Sequence, residues 1–235
     1  MRTATPEIAV LGAGLAGLTA ALALAEEGAE VQLVGLAPPA SDNRTTALLG
    51  GSVFALRRLG VWAALEGGAA PLRTLRLIDD TGGLIRAPEI AFEAQELGLE
   101  AFGWNVANRD LLAALRARAY AHPRLVIREI EVAAVETTDA GIVLRTPAGD
   151  LEARLLVGAD GRRSLARAAA GLSVAHRAYP QTAVTLDLAH VLPHGDTSTE
   201  FHTRQGPFTL VPLPGARSSL VCVKMGLDSF RVIVL

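Results

Sequence analysis

The sequence predicts an α/β fold, with a doubly wound parallel-sheet domain followed by a β-rich region. Three observations carry this expectation. The N-terminus reads as strand, glycine turn, helix and strand; Glu131 to Asp160 alternates with the period of antiparallel strands; and most of the chain after Gly171 is strand-like.

In chain order, Glu7 to Leu11 (EIAVL) is a short buried parallel strand. Gly12-Ala13-Gly14-Leu15-Ala16-Gly17 then opens an Ala/Leu helix that runs to about Gly28, and Glu30 to Val34 (EVQLV) is the second strand. Ala37 to Asn43 is a loop rich in Pro, Ser, Asp and Asn. Arg44 to Gly68 reads as helical, broken near Gly60, with apolar Leu48, Val53, Leu56, Leu59 and Trp62. Leu72 to Ile85 suggests a hairpin turning at Asp80-Thr81-Gly82-Gly83. Next come a strand at Gly103 to Val106, a helix at Asn108 to Ala121 and a strand at Arg124 to Glu129. The antiparallel meander runs EVAAVETT, IVLRT and LEARLLVGAD, turns at Pro147-Ala148-Gly149-Asp150, and ends on the apolar Leu155-Leu156-Val157. A helix is expected from near Arg163, and then strands at Thr182 to His190, Ser198 to His202, Phe208 to Pro212 and Ser218 to Val223.

Composition narrows the function classes. Half of the 235 residues are hydrophobic and 20% are charged, with mean hydropathy +0.33, which excludes a disordered chain or a coiled coil. A net charge of -2 and a pI near 6.2 give no general attraction to nucleic acid, and the 4% of aromatic residues are not interleaved with a basic run. The single cysteine, Cys222, reads as a small buried hydrophobe, which makes a reducing cytoplasm the default. The five histidines show no metal-ligand spacing, and neither a G-x-S-x-G elbow nor a P-loop is present. Ile8 to Ala25 is uncharged for 18 residues, but its Ala and Gly content and the weakly basic start before it fit a strand and helix better than a membrane span or a signal peptide.

The first turn carries the chemistry. G-x-G-x-x-G between a strand and a helix, inside a βαβ unit of about thirty residues, is the Rossmann-like setting in which this motif binds dinucleotides. Gly12 would make the tight turn, Gly14 would let a pyrophosphate approach the backbone, and Gly17 would let helix and sheet pack closely, with the amides at the helix start holding phosphate. A purely structural glycine turn is the bland alternative. One departure stands out: Gly35 occupies the end of the second strand, where an acidic residue usually binds ribose hydroxyls.

Three segments together resemble the class A FAD-dependent aromatic monooxygenases: the βαβ fingerprint, Asp42-Asn43-Arg44-Thr45-Thr46-Ala47-Leu48, and Asp160-Gly161-Arg162-Arg163-Ser164-Leu165-Ala166-Arg167. Within that class, Gly60-Val61-Trp62 and the spacing from Gly206-Pro207 to Pro212-Leu213 are similar to the ubiquinone-biosynthesis hydroxylases. The resemblance implies a glutathione-reductase-like FAD domain over residues 1–172, discontinuous in sequence, and a partial substrate-binding β region over 173–235. It implies that FAD lies with its ADP half on Gly12, Ala13, Gly14, Leu15, Ala16 and Gly17, that Arg44 sits near the cofactor, and that Asp160 and Gly161 touch FAD and the nicotinamide donor while Arg167 fixes their loop. Each has a bland counterpart, a solvated Arg44 with Asp42 as a helix cap and an ordinary turn at Asp160. Asn108 stands where the family usually has Arg or Gln near the flavin, and its shorter side chain leaves that contact open.

The activity so implied is hydroxylation of an electron-rich aromatic ring, a polyprenylated ubiquinone precursor, with NAD(P)H and O2 through a C4a-hydroperoxyflavin. No protein nucleophile and no metal is required. The protein's part is to position the ring and exclude water, with Phe201, Phe208 and Leu210 among the expected pocket residues. Such a substrate leaves open peripheral contact with the inner membrane surface or with a biosynthetic complex. Two rival functions are a non-catalytic flavoprotein fragment or scaffold subunit and an NAD(P)-dependent reductase without flavin. The family's later Gly-Asp segment, which holds the ribityl chain, does not come after Asp160-Gly161, and Lys224 and Met225 begin a tail of different composition from about Cys222. The sequence therefore predicts a chain truncated at its C-terminus, by a frameshift near Cys222, and inactive in turnover.

Overall fold

The computed structural model describes residues 6–39 and 42–225. In chain order the elements begin with β1 (Ile8–Leu11), α1 (Leu15–Glu26), β2 (Val31–Val34), β3 (Thr45–Leu49), α2 (Gly50–Arg58), β4 (Ala70–Leu72), β5 (Thr74–Asp80) and β6 (Ile90–Glu93). They continue with β7 (Gly103–Ala107), α3 (Asn108–Tyr120), β8 (Leu125–Arg128), β9 (Ala134–Thr138), β10 (Gly141–Arg145), β11 (Leu151–Ala153), β12 (Leu155–Gly158) and α4 (Leu165–Ala169). The last four are β13 (Gln181–Ala189), β14 (Thr197–Thr203), β15 (Gly206–Leu213) and β16 (Arg217–Met225). Two compact units result, one of residues 6–39, 59–61 and 111–176, the other of residues 42–58, 62–110 and 177–225.

The first unit is built on a four-stranded parallel sheet in the order β12-β1-β2-β8. Parallel strands are covered on both faces, which is why β1 and β2 are short apolar runs that do not alternate with polar residues. Ala9, Leu11 and Val34 meet Val132, just before β9, and Leu144 and Ala153 of the antiparallel β9-β10-β11 meander in one buried cluster. Val10 and Leu33, each fully buried, point to the opposite face, along which α1 runs. Gln32 is the polar exception in β2; its Nε2 donates to the Glu152 carbonyl at 2.8 Å, so a 2% exposed amide keeps a partner. On α1 the buried positions Gly17, Leu18, Ala21, Leu22 and Ala25 form one helical stripe.

The second unit holds a six-stranded sheet in the order β13-β16-β15-β14-β5-β6 and a three-stranded sheet in the order β3-β7-β4. Within the larger sheet β14 and β5 are parallel and the other neighbours antiparallel. Trp62 and Trp104 meet edge to face at 5.8 Å, and Asn105 on β7 donates to the Pro212 carbonyl of β15 at 2.8 Å.

Three sequence expectations need correction. Arg44 to Gly68 is not helical from its start: Thr45–Leu49 is β3, paired with β7 from Thr45 against Ala107 to Leu49 against Gly103. The β-branched Thr45 and Thr46 favour a strand, and Gly103 lets the Leu48 backbone approach too closely for any side chain. The hairpin from Leu72 does not turn at Asp80 to Gly83, because β5 pairs with β6 from Thr74 against Glu93 to Leu77 against Ile90, and the connection is residues 81–89. The last meander strand divides at Arg154, after which β12 leaves to pair in parallel with β1. The tail expected to differ from about Cys222 begins within β16, and its remainder, residues 226–235, lies outside the described residues. No described helix is long and apolar enough to cross a membrane.

The 81–89 connection is held at its neck by Asp79, whose carboxylate accepts the Ala87 N–H at 2.9 Å and the Thr81 N–H at 3.0 Å. These bonds, the Ala87 one foremost, together with the Thr81 side chain, lower the Asp79 carboxyl from 3.8 to about 2. Because the folded value lies below the unfolded one, this contribution to stability is complete above about pH 4 and is lost as pH falls toward 2. The expected result is a side-chain carboxyl carbon shift for Asp79 that still reports the ionised form at pH 3, where an ordinary aspartate is mostly protonated. A midpoint near 3.8 would mean that the neck is open in solution.

Candidate functional site

In the first unit the site is the turn between β1 and α1. Gly12 has φ +111 and donates its N–H to the Val34 carbonyl at 2.8 Å, and a Cβ there would collide with the Ala159 carbonyl. Gly17, within α1, faces the Gly12 carbonyl so closely that it too excludes a Cβ. The fold itself requires both glycines. Gly14 is different: it has φ -82, an ordinary value for any residue, and a Cβ built on it meets nothing within 4 Å. Gly14 is also the N-cap of α1 and offers no side-chain cap, so the first-turn amides of Leu15, Ala16 and Gly17 have no intrahelical acceptor. Ala13 is buried, Gly14 and Leu15 are half-buried and Ala16 is exposed. The turn is thus a backbone donor surface with clear space over Gly14, the shape a pyrophosphate needs.

Gly35, at the position an acidic residue usually takes, has φ +149, and a Cβ there would come within 3.1 Å of the Ala13 nitrogen. Its N–H donates to the Arg128 carbonyl at 3.0 Å. The chain leaves β2 close against the glycine turn in a conformation that side chains rarely adopt, which accounts for glycine at this position.

The same unit carries the Asp160 loop. One carboxylate oxygen accepts the Ser164 hydroxyl at 2.6 Å, and the other accepts the backbone N–H groups of Leu165 at 2.6 Å and Ala166 at 3.3 Å. Ser164 in turn caps α4 by accepting the Arg167 N–H at 2.9 Å. Arg167 also donates from its guanidinium to the Arg162 carbonyl at 2.7 Å, which closes the loop from the other side. Gly161 sits at φ +80 with open space around it. Asp160 therefore shapes a rigid loop and has both oxygens committed to it.

In the second unit, Asp42, Arg44, Thr46 and Asn108 form a connected polar group. Asp42 Oδ1 accepts the Arg44 backbone N–H at 3.0 Å and its Nε at 2.8 Å, while Oδ2 accepts Arg44 Nη2 at 2.8 Å and Asn108 Nδ2 at 3.1 Å. The Arg44 guanidinium, first, and the Asn108 amide hold the Asp42 carboxyl well below the usual carboxylate range, and Arg44 is raised in return. Asp42 caps no helix, contrary to expectation, because the residues after it form β3. Sequence reading did not link Thr46 to this group, although its hydroxyl donates to Asn108 Oδ1 at 2.6 Å. Beside the group lies a cavity of about 120 Å³ whose lining includes Asp42, Thr45, Asp187, Leu213 and Arg217. Phe201 and Phe208, expected in an apolar pocket, lie opposite one another on β14 and β15 with ring centroids 5.9 Å apart.

A model of the FAD binding domain family matches residues 5–227. The ubiquinone hydroxylase UbiL of Rhodospirillum rubrum is 33% identical over 223 residues, covering 92% of this chain and 51% of that protein. The 3-demethoxyubiquinol 3-hydroxylase of Escherichia coli is 32% identical over 225 residues, covering 92% of this chain and 56% of that protein. The chain thus spans about half the length of the curated relatives it matches. Among solved structures, HpxO of Klebsiella pneumoniae in complex with FAD and uric acid shares the fold with a TM-score of 0.73 at 19% identity, covering 95% of this chain and 58% of that one. PqsL of Pseudomonas aeruginosa does so with a TM-score of 0.79 at 19% identity, covering 95% of this chain and 61% of that one. Since the family match takes in nearly the whole sequence, the chain belongs to the FAD binding domain family, that of the FAD-dependent monooxygenases.

Proposed function

We propose that this chain is the cofactor-holding part of a hydroxylase that acts on an aromatic, polyprenylated ubiquinone precursor with NAD(P)H and O2. The observation that carries the reading is Gly14, a glycine that neither its backbone angles nor its neighbours require, standing over open space at the start of α1. A ligand that must touch the backbone supplies the missing reason. The ubiquinone hydroxylase names of the relatives support the substrate class. Peripheral contact with the inner membrane surface, on its cytoplasmic side, belongs to the same reading because a polyprenyl chain partitions into lipid.

The residues divide the work. The amides of Leu15, Ala16 and Gly17 would hold the pyrophosphate, with Gly12 and Ala13 shaping the turn beneath it. Arg44 would offer donors to a phosphate or carbonyl oxygen. Asp160 acts indirectly in this scheme, by holding Gly161 and the loop amides in place. Bound flavin would supply electron transfer from NAD(P)H and oxygen activation, and the protein would orient the ring and exclude water.

Two measurements test the reading. Gly14→Val should abolish FAD binding, followed by quenching of flavin fluorescence, while leaving the thermal unfolding midpoint near that of the parent; Gly17→Val should instead lower the midpoint sharply, because its neighbour is backbone. Unchanged FAD affinity in Gly14→Val would remove the assignment. For the activity, a hydroxylase in which this chain is the cofactor-holding part should, once loaded with FAD, consume NAD(P)H faster when a polyprenylated phenol is present and release a hydroxylated product. Consumption that ignores the phenol would leave a flavoprotein without hydroxylase function.

A further inference from the structure

Asn108 is the least expected member of the Asp42 group. It is only 9% exposed, it opens α3, and its backbone N–H donates to the Arg44 carbonyl at 3.0 Å. The Thr46 hydroxyl donates to Asn108 Oδ1 at 2.6 Å, while the Asp42 carboxylate, which can only accept, fixes which way the amide points. Nδ2 donates to Asp42 Oδ2 at 3.1 Å, and the Thr46 hydroxyl braces the amide from its oxygen side. The carboxylate, held on that side, grips Arg44 through Nε and Nη2 at 2.8 Å each. Thr46, Asn108, Asp42 and Arg44 thus form a relay that begins in a buried amide and ends on a side chain 69% exposed.

An exposed arginine ordinarily samples many rotamers, and a lone surface ion pair restrains it weakly. The relay removes that freedom. Of the five guanidinium N–H groups, the bonds to Asp42 use Nε and Nη2 and leave the Nη1 edge to offer elsewhere. Asn108, by contrast, has its oxygen and one amide hydrogen engaged within the relay.

We infer that Asn108 is a positioning residue for cofactor binding: it does not touch the flavin dinucleotide but, through Asp42, holds the Arg44 guanidinium in the orientation that receives a cofactor oxygen. This rests on the reading that Arg44 meets FAD. It puts an indirect role in place of the direct contact left open at this position, and it adds Thr46 as the residue that braces the amide.

The test combines FAD affinity with a direct view of Arg44. Arg44→Gln should weaken FAD by about tenfold, the scale of one charge-assisted hydrogen bond. Asn108→Leu and Thr46→Val should each weaken it several-fold in the parent and cause no further loss in the Arg44→Gln background. Without FAD, the Arg44 Nε–H resonance should be sharp in the parent and broadened or lost in both variants. If Asn108→Leu fails to fold, Thr46→Val, which removes a single hydroxyl, carries the same comparison. Losses that add to that of Arg44→Gln would mean Asn108 touches the cofactor, and an unaltered Arg44 Nε–H signal would mean it does not hold the guanidinium; either overturns the inference. An Arg44→Gln variant that binds FAD like the parent would overturn the underlying reading, and it is distinguished from those outcomes because Arg44 itself then has no effect.

Discussion

The first unit depends on how closely three backbone segments approach one another. Gly12 lies against the Ala159 carbonyl at the end of β12, and Gly17 of α1 lies against the Gly12 carbonyl. Hydrogen bonds from Gly12 to Val34 and from Ala159 to Leu11, both 2.8 Å, complete the junction. With no side chains between them, the ends of β1, β2 and β12 and the start of α1 converge on one small volume. That convergence gives α1 its fixed start and puts its free amides at the carboxyl ends of parallel strands, where open α/β sheets bind ligands. A Cβ at either glycine would separate the helix from the sheet and move every later amide of the first turn.

The glycine turn was legible in the sequence because its determinants are local. The spacing of Gly12, Gly14 and Gly17 after an apolar strand is a pattern contained in a few residues, and at Gly12 and Gly17 the close backbone approach admits only glycine. The later strands of the larger sheet were also legible, since period-2 alternation is a local signal too: β13 to β16 differ from the expected spans only at their ends. What failed was long-range. Leu48, Val53 and Leu56 match a helical pattern, yet the first of them lies in a strand because β7, some sixty residues later, supplies the partner edge. No periodicity in residues 44–49 contains that information.

The Asp42 group shows the same limit at the level of a site. Asp42 and Arg44 are two residues apart, so an ion pair was within reach of sequence reasoning, but Asn108 is 66 residues from Asp42 and 62 from Thr46. Taken alone, Asp42 before a presumed helix looks like a cap. Once Thr45 begins a strand, the carboxylate has no helix to cap and turns to the guanidinium and the amide instead. The change from cap to brace is a direct consequence of the change of one element from helix to strand.

Satisfaction of hydrogen bonds separates residues that can meet a ligand from those that support them. Asp160 and Asn108 look like ligand contacts in sequence, but their oxygens are engaged by Ser164, Leu165 and Ala166 in one case and by Thr46 in the other. A new partner that displaced one of these bonds would leave its donor unpaired, at a cost of about 1–3 kcal/mol if buried. The first-turn amides of α1 and the Nη1 edge of Arg44 face no such competition. In a flavoprotein, where the reactive atoms belong to the cofactor, most polar side chains near the site are expected to be of the supporting kind, and the groups that touch the ligand are those whose donors the fold has left free.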